Sequence, residues 1–209
     1  NFEHYRGSHQ FIRAVKHIQK MHPEAIVIAV GSDEVSYGRR PPDGKYFRHM
    51  MLDEVKPDMS RLFFTGPLPY DEFLKVLQVS MAHIYLTVPF VLSWSMLEAM
   101  AAECLVVGSA TSPVQEVITD GKNGVLVDFF SPEDIASKAV DVLKHPEKYA
   151  PIRKAARQTI LERYDTQKLL PQHIELIEQL AAGNVPPLAQ YALPLEPQQS
   201  TEYLYKKAV

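Results

Sequence analysis

Glycine is scarce in this chain, with nine in 209 residues, against the roughly 7% usual in globular proteins. No G-x-G-x-x-G occurs, so the dinucleotide-binding fingerprint is absent. A single cysteine, Cys104, excludes an internal disulfide and a multi-cysteine metal cluster, and it suits a reducing cytosol. Eight histidines lie scattered without HxH or HExxH spacing, so no metal site is expected. Neither charge dominates: 22 Lys and Arg face 25 Asp and Glu, which leaves no basic field for nucleic acid. No run approaches the ~20 apolar residues of a membrane span. The start, NFEHYRGSHQ, has no apolar segment of signal-peptide type. Asn1 is not an initiator methionine, which is expected of a fragment or a processed product.

What is present is 46% hydrophobic and 22% charged, enough for one core without disulfide staples. Ser8 is placed to cap a helix whose Phe11, Val15, Ile18 and Met21 share one face, ending near Pro23. AIVIAV (25–30), RLFFT (61–65), HIYLTV (83–88), CLVVGS (104–109) and GVLVD (124–128) read as strands apolar on both faces, as in a buried parallel sheet. Residues 36–45 are loop by composition. Helices are predicted at about 46–55, from an Asp71 cap to Val79, and at 94–102, 132–144, 147–163 and 166–182. The alternation implies right-handed crossovers and a doubly wound, Rossmann-like three-layer α/β domain with a parallel sheet over 1–182. Residues 183–209 hold four of the sixteen prolines and no period, so an extended arm is expected there. Such a sheet normally opens on its central strand, and this chain opens on a loop and a helix. That strand is missing or too short to recognise, which leaves an open edge able to drive self-association.

Ligands of such sheets bind at the carboxyl ends of the strands, beside helix N-termini. The richest segment is Thr87 to Ser109. There Ser95 and Glu98 have capping-box spacing, while Ser93 as the cap would leave Glu98 free to face a ligand.

The stretch LEAMAAECLVVGSATSPVQEVITDGKNGVLVDFFSPEDIASKAVDVL (97–143) resembles the C-terminal domain of group 1, family 4, retaining glycosyltransferases of the GT-B fold. The family pattern is LEAMA-x-G-x-PVV, a small-residue loop ending in PE, then DG-x-x-G-x-LV. YRGSHQFIRAVKHIQKMHPEAIVIAVG (5–31) and RLFFTGPLPYDEFLKVLQVSMAHIYLTV (61–88) resemble its preceding blocks, in order. The resemblance implies the C-terminal half of a GT-B enzyme that binds a nucleoside-diphosphate sugar. It would transfer a hexosyl group with retention to a saccharide or lipid-linked acceptor, as in polysaccharide building. The acceptor site would lie in an N-terminal domain. No cofactor or metal is implied, and the place would be the cytoplasm or the inner face of a membrane.

Carried over by position, Arg6 stands where the family's lysine of KG meets the donor diphosphate, followed by Gly7. A guanidinium fork suits that role; the alternative is a solvated arginine. Glu98 matches the second glutamate of Glu-x7-Glu, which holds the ribose hydroxyls. Phe90 stands where the first glutamate is expected, and the loop Phe90 to Ser95 has none of the family's glycines. Val91 and Ser93 are expected to narrow the donor pocket, although Ser93 and Ser95 hydroxyls at a helix start suit phosphate. Gly31, Ser32 and Asp33 either line the site or form a plain turn. Gly66, Pro67 and Leu68 match the loop that shapes the nucleobase pocket. Ser109 to Pro113 and Glu116 match the small-residue loop, with Glu116 as a brace. Arg39 and Arg40 guard the donor mouth or are simply solvated. Trp94 stacks on a ligand or, more commonly for a lone tryptophan, packs in the core. Two rival classes remain: a non-catalytic nucleotide-binding module, and a receiver-type domain, for which the required acidic residues are missing.

Overall fold

A computed structural model describes residues 1–37, 41 and 44–185. The strands are β1 (Val27–Val30), β2 (Leu62–Gly66), β3 (Ala82–Tyr85), β4 (Leu105–Ser109) and β5 (Val125–Val127). The helices are α1 (Ser8–Met21), α2 (Phe47–Val55), α3 (Tyr70–Val79), α4 (Trp94–Ala101), α5 (Ser112–Gln115), α6 (Pro132–Lys144), α7 (Pro146–Arg163) and α8 (Thr166–Ala181). Every pairing is parallel, in the orders β2-β1 and β3-β4-β5. Among the described residues no strand lies between β1 and β3, where the central strand of a doubly wound sheet belongs. The expected arm falls almost wholly in 186–209, outside the described residues.

β4 shows why the core forms. It is buried along its whole length, and its period of two divides it between layers. Leu105 and Val107 pack with Ala14 and Ile18 of α1 and with Ile135 and Ala139 of α6. Val106, with Cys104 just before it, packs with Leu77 of α3, Met96 and Met100 of α4, and Ala156 of α7. Burial pushes the Cys104 thiol up to about 11, so it packs as an apolar group rather than reacting. Arg153 and Arg157 of α7 donate to the Glu103 and Ala101 carbonyls at the end of α4, where a cation also meets the negative helix end.

Three local expectations change. Gly7, in the left-handed region at φ 66°, precedes α1, and Ser8 lies buried inside the helix without a side-chain partner. Pro69, not Asp71, is the N-cap of α3, which starts at Tyr70; Asp71 instead faces Lys75 one turn on, at 3.8 Å. Burial on both faces holds for β4 but fails for β1 and β2, whose Ile28 and Phe63 are 42% and 48% exposed. In this pair only the opposite face is covered, with Ala29 and Leu62 buried.

His9 stacks on His4 at 4.5 Å between ring centroids. Burial first, then the His4 and Arg13 charges, hold its pKa at about 4. Burial alone brings His83 on β3 to about 4. Unfolded histidine protonates near pH 6.5, so between about 6.5 and 4 the unfolded chain binds more protons and stability falls with pH. The thermal midpoint is expected to drop across that window and to drop less in His9→Gln and His83→Gln. An unchanged slope in both variants would refute the assignment.

Candidate functional site

The first seven residues form a strap over the carboxyl ends of the strands. The Phe2 amide donates to the Ser32 carbonyl just past β1 (3.0 Å), and the Val88 amide past β3 donates to the Tyr5 carbonyl (3.1 Å). Glu3 is 1% exposed, and its Oε2 accepts from the Ser36 and Tyr37 amides at 3.2 and 3.1 Å. Asn1 completes the staple, accepting from the Ser32 hydroxyl and donating to that of Ser36. The strap ends in a 3-10 turn, His4–Arg6, and then Gly7. A Cβ on Gly7 would lie 2.5 Å from Leu86 Cβ and 3.1 Å from the Phe129 ring. Only glycine lets α1 start there.

Arg6 therefore points from the strap toward the start of α4. Its guanidinium lies beside the Tyr85 hydroxyl and 5.6 Å over the Tyr37 ring, while Nη1 is buried without a hydrogen-bond partner. The Tyr85 hydroxyl accepts from the Ser93 amide at 2.7 Å and so ties the loop before α4 to β3. Burial pushes the Tyr85 phenol up, opposed by that amide and by Arg6. Ser93 is the N-cap of α4 without a side-chain cap bond, and the Ser95 hydroxyl reaches the Ser93 hydroxyl at 3.3 Å. Arg6, Ser93 and Ser95, with Glu3 and Ser36, line the mouth of one cavity of about 740 Å³. A guanidinium with spare donors, two hydroxyls and a helix N-terminus make a site for an anion.

The other predicted residues that the structure describes do not line this cavity. The Ser95–Glu98 capping box does not form, because Ser93 is the cap. Glu98 is half-buried, and its carboxylate beside the Tyr70 hydroxyl pushes that phenol's pKa up. Phe90 stands edge-on to Tyr37 at 4.9 Å and 6.4 Å from Tyr5, so an aromatic group replaces a carboxylate there. Trp94 is 81% exposed, which overturns its core reading: as the first residue of α4 it projects from the helix start. Gly31 and Gly66 join the ends of β1 and β2 by a 3.0 Å hydrogen bond, and Leu68 follows, half-buried. Asp33 pairs with Arg48 at 2.6 Å, so it braces α2 rather than lining the mouth. Ser109 bonds both the amide and the carbonyl of Thr87, and the Glu116 carbonyl takes Arg163; both act as braces. Arg39 and Arg40 lie outside the described residues. Sequence reasoning missed Glu3 and Tyr85, whose roles depend on chain segments that meet only in the fold.

A family model described as glycosyl transferases group 1 matches residues 1–159. The chain belongs to that family. Among curated relatives, an uncharacterized glycosyltransferase of Methanocaldococcus jannaschii is 23% identical over 178 residues, covering 84% of this chain and 43% of the relative. N-acetyl-alpha-D-glucosaminyl L-malate synthase of Bacillus anthracis is 28% identical over 78 residues, 37% of this chain and 20% of the enzyme. Among solved structures, Anabaena HepE in complex with UDP-glucose superposes with a TM-score of 0.72 at 19% identity, covering 85% of this chain and 46% of HepE. The C-terminal domain of the Francisella tularensis group 1 protein LpcC gives 0.64 at 20% identity, with 78% and 82% covered. The chain thus spans less than half of the full-length relatives. Its fold is the Rossmann-like C-terminal half of a GT-B architecture.

Gly7→Ala is expected to lower stability by about 1–3 kcal/mol through the Leu86 clash and the left-handed backbone. Tyr85→Phe is expected to cost about 1 kcal/mol by freeing the Ser93 amide. Denaturant unfolding checks both, and wild-type stability in either variant contradicts the geometry.

Proposed function

We propose that this chain is the donor-binding half of a retaining glycosyltransferase, taking a nucleoside-diphosphate sugar. The observation that carries the reading is the convergence of Arg6, with its unpartnered Nη1, and the start of α4 on one cavity mouth. The diphosphate lies between the guanidinium and the Ser93 and Ser95 hydroxyls. The ribose hydroxyls meet Glu98, whose carboxylate accepts from two neighbours at once once it parts from Tyr70. The base lies toward Gly66 and Leu68.

In the transfer, the bond from the sugar's anomeric carbon to the diphosphate oxygen breaks. A bond to an acceptor hydroxyl oxygen forms, and that hydroxyl's proton leaves with the departing diphosphate. Arg6 and the α4 dipole stabilise the charge that builds on the leaving oxygen. The acceptor, a saccharide or lipid-linked sugar, is held by an N-terminal domain outside these residues, so the chain alone binds nucleotide weakly and turns nothing over. No cofactor or metal takes part, and the setting is the cytoplasm or the inner face of a membrane. Relatives crystallised with UDP-glucose and with UDP support a uridine nucleotide as the first probe. A second reading, a non-catalytic nucleotide-binding module, is favoured by Phe90, which packs on Tyr37 where the family pattern has a carboxylate.

Titration calorimetry with UDP tests the site. Arg6→Ala is expected to weaken binding about tenfold or more, by loss of a charge-assisted contact. Glu98→Ala is expected to weaken UDP but not pyrophosphate. Absence of heat with UDP and other nucleoside diphosphates from the folded chain, or indifference to Arg6→Ala, would overturn the proposal.

A further inference from the structure

The strap holds more than a cation. From Glu3 to Ser8 the chain buries three side-chain atoms without a hydrogen-bond partner: Glu3 Oε1, Arg6 Nη1 and the Ser8 hydroxyl. All three residues line the one cavity. Native proteins leave few such groups unmet, and an ionised carboxylate is among the costliest to bury open. Glu3 is held on one side. Its Oε2 accepts from the Ser36 and Tyr37 amides, which fixes the carboxylate and leaves the lone pairs of Oε1 unused. A staple between strap and loop needs an acceptor but no charge, and an amide oxygen would serve. The charge and the open oxygen together point to a donor that no described residue supplies.

The unmet atoms differ in what they lack. Arg6 Nη1 lacks an acceptor, Glu3 Oε1 lacks a donor and repels an anion, and the Ser8 hydroxyl takes either. A phosphate brings acceptors only, so it satisfies Arg6 and leaves Glu3 open. A ligand that satisfies both carries hydroxyl groups next to its anionic oxygens. The two carboxylates set its direction. Glu98 lies one turn past Ser95 on α4, whereas Glu3 lies three residues before Arg6, on the β1 side of the strap. With the ribose on Glu98 and the diphosphate on Arg6, the group at the far end of the diphosphate continues along the strap. Glu24, the other acidic residue that lines the cavity, precedes β1 at the end away from the strap.

We propose that Glu3 is the sugar-binding carboxylate of this site, its Oε1 accepting from a hydroxyl of the hexosyl group while Arg6 holds the adjacent phosphate. The proposal deepens the donor-site reading and rests on it. Glu3 then separates a sugar nucleotide from the bare nucleoside diphosphate. A sugar that lacks the hydroxyl in question leaves a buried carboxylate oxygen unpaired, and the site rejects it for that reason.

The test is calorimetry of the full chain with UDP, UDP-glucose, UDP-galactose and UDP-N-acetylglucosamine, repeated on Glu3→Gln. Glutamine keeps an oxygen for the Ser36 and Tyr37 amides and turns the open position from acceptor to donor. The sugar nucleotide that binds the wild type most tightly is expected to weaken about tenfold or more in Glu3→Gln, by loss of a charge-assisted contact. UDP is expected to bind the variant as well as the wild type, or better, since a negative charge near its phosphates is gone. Equal weakening of UDP and the sugar nucleotide would make Glu3 a staple only and overturn the proposal, as would no weakening of either. Deoxy analogues of that sugar, each lacking one hydroxyl, give a second measurement on the wild type. One analogue is expected to lose about tenfold there and nothing further in Glu3→Gln; a wild type that binds every analogue as well as the parent sugar overturns the proposal without any variant. Failure of UDP itself to bind defeats the donor-site reading and this proposal with it, whereas UDP binding that depends on Arg6 but ignores Glu3 and the sugar defeats this proposal alone.

Discussion

The contact between Gly7 and Leu86 sets the rest of the site. With no Cβ at residue 7, the strap can cross from β1 to β3 and turn into α1 against the end of β3. Any side chain there would stand 2.5 Å from Leu86 Cβ. That approach directs Arg6 at the start of α4 and brings Tyr85 within reach of both Arg6 and Ser93. Glu3 then holds the opposite end of the strap by accepting from the Ser36 and Tyr37 amides. One missing atom thus positions a cation, a helix terminus and a loop together.

Glycine scarcity has a specific meaning in this fold. The glycines that remain are spent on backbone geometry: Gly7 at the strap, Gly31 and Gly66 where β1 and β2 end, Gly124 where a Cβ would be 2.7 Å from Ile118. The loop before α4 does without them, and it is anchored instead by the Tyr85 hydroxyl and lined with Phe90, Tyr37 and Tyr5. The loop of this chain is pinned and aromatic. Here Phe90 stands where the family pattern has a glutamate.

The order of strands and helices was readable because buried β-rich runs such as CLVVGS and amphipathic helices such as α1 carry their own periodicity. Local caps were less so. Ser8 and Asp71 are good cap residues, but Leu86 crowds the start of α1 and Pro69 turns the chain earlier, and these tertiary contacts override local preference. Trp94 was read either as a ligand stack or as a core residue, and its place at the first position of α4 sends it outward, against the core alternative. Arg6, Ser93 and Ser95, singled out by position, line one cavity. Glu3 and Tyr85 carried no local signal, because each acts on a segment far away in sequence. Glu98 was open between cap and ligand; with Ser93 as the cap it makes no capping box and lies beside the Tyr70 hydroxyl.

A crystal structure of this chain soaked with UDP is the most direct measurement. The account predicts the diphosphate between Arg6 and the Ser93 and Ser95 hydroxyls, with the ribose on Glu98 and Tyr70 displaced from it. Nucleotide bound elsewhere, or with its phosphates out of reach of Arg6, would contradict it.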